Sequence, residues 1–159
     1  MVVPMVLVFS MISCSTDSNE EQEATTAQLV TDYDYSTDEL QLADLINNYR
    51  ESHGMNALEI INHISFKSLG HNKYMIENNV VNHDYFEERS NNIIQVLGAI
   101  RVGENIAYNF STPNSALYAW LNSPGHKANL DSDYTHFGIS IAINPTTGKK
   151  YYTNMFMKK

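Results

Sequence analysis

The last quarter of the chain changes its period. In HFGISIAIN (136–144), Phe137, Ile139, Ile141 and Ile143 take every second position between small or polar residues. After PTTGK, the stretch KYYTNMFMK (150–158) alternates again. Two such runs around a Gly-bearing loop predict a β-hairpin with one buried face. Upstream the period is helical. Ser36 and Glu39 have capping-box spacing, and Leu42, Leu45, Ile46 and Tyr49 then recur at helical intervals until Gly54. A second helix is predicted over about 60–78, with Ile61, Ile64, Ser68, His71 and Met75 on one stripe. A third, over about 84–98, aligns Phe86, Ile93, Leu97 and Ile100, and a fourth runs over 113–122. Thr112 is placed to cap that fourth helix, with Pro113 in its first turn, where a missing N–H does no harm. GENIAYN (103–109) forms a short unit between the last two. Helices first and a hairpin last predict an α+β fold, with helices packed on a small antiparallel sheet.

The chain's 159 residues suffice for one domain with its own core, and the single cysteine means that no disulfide can form within it. That cysteine, Cys14, ends an apolar run of twelve residues, VVPMVLVFSMIS (2–13). Such a run is too short to cross a membrane as a helix and fits the core of a secretory signal. Its ending, MISC, resembles the lipobox of bacterial lipoproteins, whose cysteine is lipidated. The segment 1–14 is therefore expected to be a lipoprotein-type signal, with Cys14 as membrane anchor. The resemblance implies an extracytoplasmic place, periplasmic or at the cell surface.

Residues 15–36 are acidic and polar, which predicts a flexible tether; the folded domain is expected over 37–159. The formal charge of −8 mostly belongs to this tether, which holds six of the 18 acids and none of the 10 Lys and Arg. The nearly neutral remainder offers no basic stripe, so nucleic acid is excluded as a partner.

None of the six histidines has the local spacing of a zinc motif, and the chain has no nucleophile elbow, phosphate-binding loop or dinucleotide fingerprint. A site must be assembled from distant segments. NHDYFEERSNNI (82–93), VGENIAYN (102–109), AWLNSPGHKANL (119–130) and THFGISIAI (135–143) occur in the order found in bacterial CAP (SCP) domains. These are relatives of cysteine-rich secretory and pathogenesis-related proteins, and the resemblance covers roughly 38–158. It implies a three-layer α-β-α sandwich with a cleft lined by histidines and glutamates.

Carried over position by position, the resemblance selects His83, Glu104 and His126 as site candidates. A fourth family position, a glutamate, falls near Ser123, where this chain has no acid. Two imidazoles and one carboxylate are a plausible set for zinc or another divalent cation. The same three groups can instead form a neutral hydrogen-bonded cluster that pins the GEN segment to the helices around it, and this structural reading leads.

Other residues have plainer readings. His71 is expected to pack in the core, Ser123 to cap the next short helix, and Gly125 to let the backbone run close. Trp120 is expected to be buried with a partner for its N–H, and His136 to lie at the surface or an edge. Three functions remain open. The first is a binding module for an envelope lipid, glycan, peptide or protein. The second is a metal-dependent hydrolase using His83, Glu104 and His126, and the third a structural envelope protein. The missing second carboxylate weighs against the hydrolase, which normally wants a base beyond its ligands.

Overall fold

The computed structural model describes residues 28–159. Cys14, the signal segment and most of the acidic tether lie outside the described residues. The order of elements is α1 (Thr37–Ser52), β1 (Glu59–Ile60), α2 (Asn62–Asn78), α3 (Phe86–Leu97) and β2 (Arg101–Tyr108). Then come α4 (Pro113–Leu121), α5 (Pro124–Leu130), β3 (His136–Ile143) and β4 (Lys150–Lys158). None of these helices is long and apolar enough to cross a membrane.

The hairpin β3–β4 forms as the alternation predicts, with Phe137 opposite Phe156 and Ile139 opposite Asn154. The GEN unit is an eight-residue strand, β2, antiparallel to β4 at the sheet's edge. The order is β1-β3-β4-β2, and the two-residue β1 pairs with β3 in parallel, so the sheet is mixed rather than purely antiparallel.

Alternation divides the core into two layers. Phe137, Ile139, Tyr152 and Phe156 point to one face, where Leu42 and Ile46 of α1, Trp120 of α4 and Leu130 of α5 cover them. Met155 and Met157 point to the other face and meet Ile64 of α2 and Ile93 of α3. Ile100, expected on the inner stripe of α3, lies beyond the helix end and is exposed. The result is an α-β-α sandwich on an α+β plan.

The predicted caps are present. Thr112 accepts from the Ser115 amide and Pro113 opens α4. Glu39 closes the capping box with Ser36, and its other oxygen accepts the Ile141 amide of β3 at 2.8 Å and the Tyr33 hydroxyl at 2.9 Å. Ser65 Oγ accepts the Ile139 amide at 3.0 Å, so side chains from two helices satisfy the β3 edge where β1 stops. Helix α2 lies directly on β3. A Cβ on Gly138 would run into the backbone of Ile64 and Ser65.

The end of the expected tether is not free. The Val30 amide donates to His63 Nδ1 at 3.1 Å, Asn62 donates to the Thr31 carbonyl, and the Tyr35 hydroxyl reaches Asn62 at 3.0 Å. The aromatic side chains Tyr33 and Tyr35 supply the apolar area that the acidic composition hid. Residues 30–36 form a strap over α2.

Candidate functional site

Because β2 alternates, Glu104 and Asn105 face opposite layers. Glu104 turns to α2 and α3 with only 2% of its side chain exposed, and Asn105 turns to α5. Burying a carboxylate requires partners. Arg89 of α3 supplies most of them: Nε donates to Oε2 at 3.0 Å, and Nη2 to Oε1 at 2.9 Å and Oε2 at 2.7 Å. His83, in the α2–α3 loop, adds Nδ1 to Oε1 at 2.8 Å while half its side chain stays exposed. His71 Nε2 lies 4.0 Å from Oε1 and donates to the Asn82 carbonyl at 2.8 Å. It is buried as expected, but it packs beside the candidate cluster. Burial lowers its pKa, with the nearby Glu104 opposing.

His126 enters from the other layer. Pro124 places it in the first turn of α5, and its carbonyl accepts from Asn105 Nδ2 at 2.9 Å. Asn129 of the same helix donates to the Glu104 carbonyl at 3.1 Å and to Asn105 Oδ1 at 2.8 Å, fixing α5 against the edge strand. Arg50, fully buried, holds the far end of α5 by donating to the Leu130 carbonyl at 2.6 Å. Burial, and secondarily the His83 charge, lower the pKa of His126. Between the layers, past the edge of β2, a cleft of about 300 Å³ is lined by His83, Phe86, Gly103, Glu104, Asn129 and Tyr134.

The structure thus joins His83 to Glu104 and brings His126 near them without a shared hydrogen bond. The three do not fit a divalent cation in this arrangement. Both Glu104 oxygens are engaged, and a cation there would meet the Arg89 guanidinium. Among the described residues no three His, Cys, Asp or Glu side chains converge on one point.

Four local expectations resolve as well. Trp120 is buried and donates from Nε1 to the Ile106 carbonyl of β2 at 2.8 Å. Ser123 occupies the cap position of α5 but its side chain makes no capping hydrogen bond. Gly125 serves no close approach, since a Cβ there would meet nothing within 4 Å. His136 opens an interior strand, with Nδ1 against Thr135 Oγ1 at 2.7 Å and Nε2 3.5 Å from Glu59. It is mostly covered rather than an edge residue.

The profile of the cysteine-rich secretory protein family, CAP, matches residues 43–156. The chain belongs to this family. Among curated proteins, the uncharacterized membrane protein YlbC of Bacillus subtilis is 38% identical across 78% of this chain and 35% of its own length. The uncharacterized protein YkwD of the same bacterium is 28% identical across 64% of this chain and 41% of its own. The chain therefore spans only about two fifths or less of these relatives. Among solved structures, an extracellular protein containing an SCP domain from Bacillus anthracis superposes with a TM-score of 0.67 at 31% identity. That match covers 77% of this chain and 40% of that one. An outer surface protein of Borrelia burgdorferi shares the fold at TM-score 0.71 and 23% identity, covering 80% of this chain and 96% of that one.

Arg89 was missed in the sequence, although a signal existed. It lies three residues after Phe86 and four before Ile93, on the buried stripe of α3. A charge on an inward stripe asks for a buried partner.

Proposed function

We propose that this CAP domain is an extracytoplasmic, lipid-anchored binding module. Its cleft beside His83, Asn129 and Tyr134 would hold an envelope or extracellular ligand without hydrolysing it. The observation that carries the reading is the state of Glu104: its carboxylate is spent on Arg89 and His83, so it is free neither as a metal ligand nor as a general base. What remains open to solvent is a preformed polar cleft with a half-exposed imidazole at its mouth. The names of the relatives, a membrane protein and an extracellular protein among them, support a place outside the cytoplasm. The lipobox-like ending at Cys14 supports the anchor.

Soluble peptidoglycan fragments titrated into the full chain, followed by NMR, test the binding reading. The expected result is saturable shifts at His83, Asn129 and Tyr134; a cleft silent to glycan, peptide and lipid probes alike would favour the structural role. Calorimetry with zinc checks the hydrolase reading, where binding lost in both Glu104→Gln and His126→Ala would revive it. Intact-mass analysis of membrane-extracted protein tests the anchor, and an unmodified Cys14 thiol would remove it.

A further inference from the structure

A second concavity, of about 260 Å³, lies behind the cleft on the far side of Arg89. Its floor is a stripe of α2: Lys67, Gly70, His71 and Tyr74 follow one another at i, i+3, i+4 and i+7. This stripe extends about 10 Å along the helix axis. Phe66 and Tyr85 form the walls, and both rings are exposed, at 45% and 58%. We propose that this groove is a binding site for a flat aromatic monocarboxylate of one or two fused rings.

Three features make it a built groove. Gly70 sits mid-helix, where glycine costs about 0.5–1 kcal/mol relative to alanine. Nothing lies within 4 Å of where its Cβ would be, so its absent side chain is what opens the floor. Tyr85 adopts a left-handed backbone, φ 59° and ψ 21°, an outlier for an aromatic residue. That conformation sets its ring edge-on to Tyr74, with centroids 5.1 Å apart, leaving aromatic surface exposed at the groove.

Charge gives the ligand its direction. The Lys67 ammonium is partly desolvated, stands 5.8 Å from the Phe66 centroid, and pairs with no carboxylate among the described residues. At the other end Asp84 accepts from the Tyr74 hydroxyl at 2.9 Å, and Arg89, which also lines the groove, is committed to Glu104 and the Asp84 carbonyl. A ligand carboxylate therefore belongs at Lys67, and its rings over Gly70 between Phe66 and the two tyrosines. The volume admits a bicyclic acid and excludes a diacyl lipid.

The site is separate from the His83 cleft, so either can fail without the other. The test is calorimetric titration of the full chain with 2-naphthoate, with the neutral 2-acetylnaphthalene as charge control. Gly70→Leu starts from a Cβ in open space, occupies the groove floor and improves helix propensity, so it should abolish binding in a chain that circular dichroism shows to be folded. Lys67→Met should weaken 2-naphthoate about tenfold, the worth of one charge-assisted hydrogen bond, and leave 2-acetylnaphthalene unchanged. No heat of binding at about 5 mM, full binding to a folded Gly70→Leu chain, or equal affinity for the neutral ketone would each overturn the proposal.

Discussion

Arg89 of α3 grips both carboxylate oxygens of Glu104 on β2, at 2.7–3.0 Å, and so ties the outer helix of one layer to the sheet's edge strand. With Glu104 almost fully covered, removing one partner strands a buried charge. Arg89→Met is expected to cost about 3–5 kcal/mol in urea unfolding. The double variant Arg89→Met/Glu104→Gln should recover much of that loss, because neither charge then remains. A double variant as unstable as Arg89→Met would show that packing, not charge, sets the penalty.

Glu39 makes a different demand on its carboxylate. One oxygen takes the Ser36 amide and hydroxyl, the other the Ile141 amide and Tyr33 hydroxyl. Glu39→Gln keeps the shape but turns an NH₂ toward a backbone N–H, whichever way the amide flips. A loss of about 1–3 kcal/mol is expected. Hydrogen exchange should localise it, with the Ile141 amide losing protection first. Unchanged protection there would mean that the edge is held by something else.

How much of this was legible depended on what each residue answers to. The hairpin, the capping box at Ser36 and the Thr112–Pro113 start follow from local periods and local chemistry, and they stand where the sequence puts them. β2 was harder, because both faces of an edge strand between two helix layers are covered, and Val102 to Tyr108 show little alternation. β1 is two residues long and exists only because β3 is beside it. The site split the same way. His83 and Glu104 came from a family resemblance, whereas the Arg89 partnership depends on which face of β2 meets α3. That relation is tertiary, and only the misplaced charge on the α3 stripe hinted at it.

Three histidines predict how the fold responds to acid. Burial, the leading cause in each case, lowers the pKa of His63, His71 and His126 below the ordinary imidazole value. The folded protein thus keeps them neutral while the unfolded chain takes up protons near pH 6.5. The stability they confer is complete above that value and declines as pH falls from it toward the lowered folded values. Urea midpoints should therefore drop between pH 7.5 and 5.5. His63 gives a local readout, since its Nδ1 accepts the Val30 amide and becomes a donor when protonated. The strap 30–36 should lose amide protection over the same window; a flat midpoint would contradict the assignment.

Two glycines make opposite predictions from the same substitution. At Gly138 a methyl group would meet the backbone of Ile64 and Ser65, which cannot move without lifting α2 off β3. Gly138→Ala is expected to cost about 1–3 kcal/mol, the range for overpacking, and more if the helix must shift as a unit. At Gly125, in the first turn of α5, the methyl group enters open space on a helical backbone. Gly125→Ala should be neutral or stabilise by up to about 1 kcal/mol, through helix propensity and a less flexible unfolded chain. Because His126 follows immediately, the variant also tests whether α5 needs freedom at its start. Thermal unfolding of both decides the matter, and a Gly125→Ala loss as large as that of Gly138→Ala would mean that the α5 turn is under a constraint its backbone does not show.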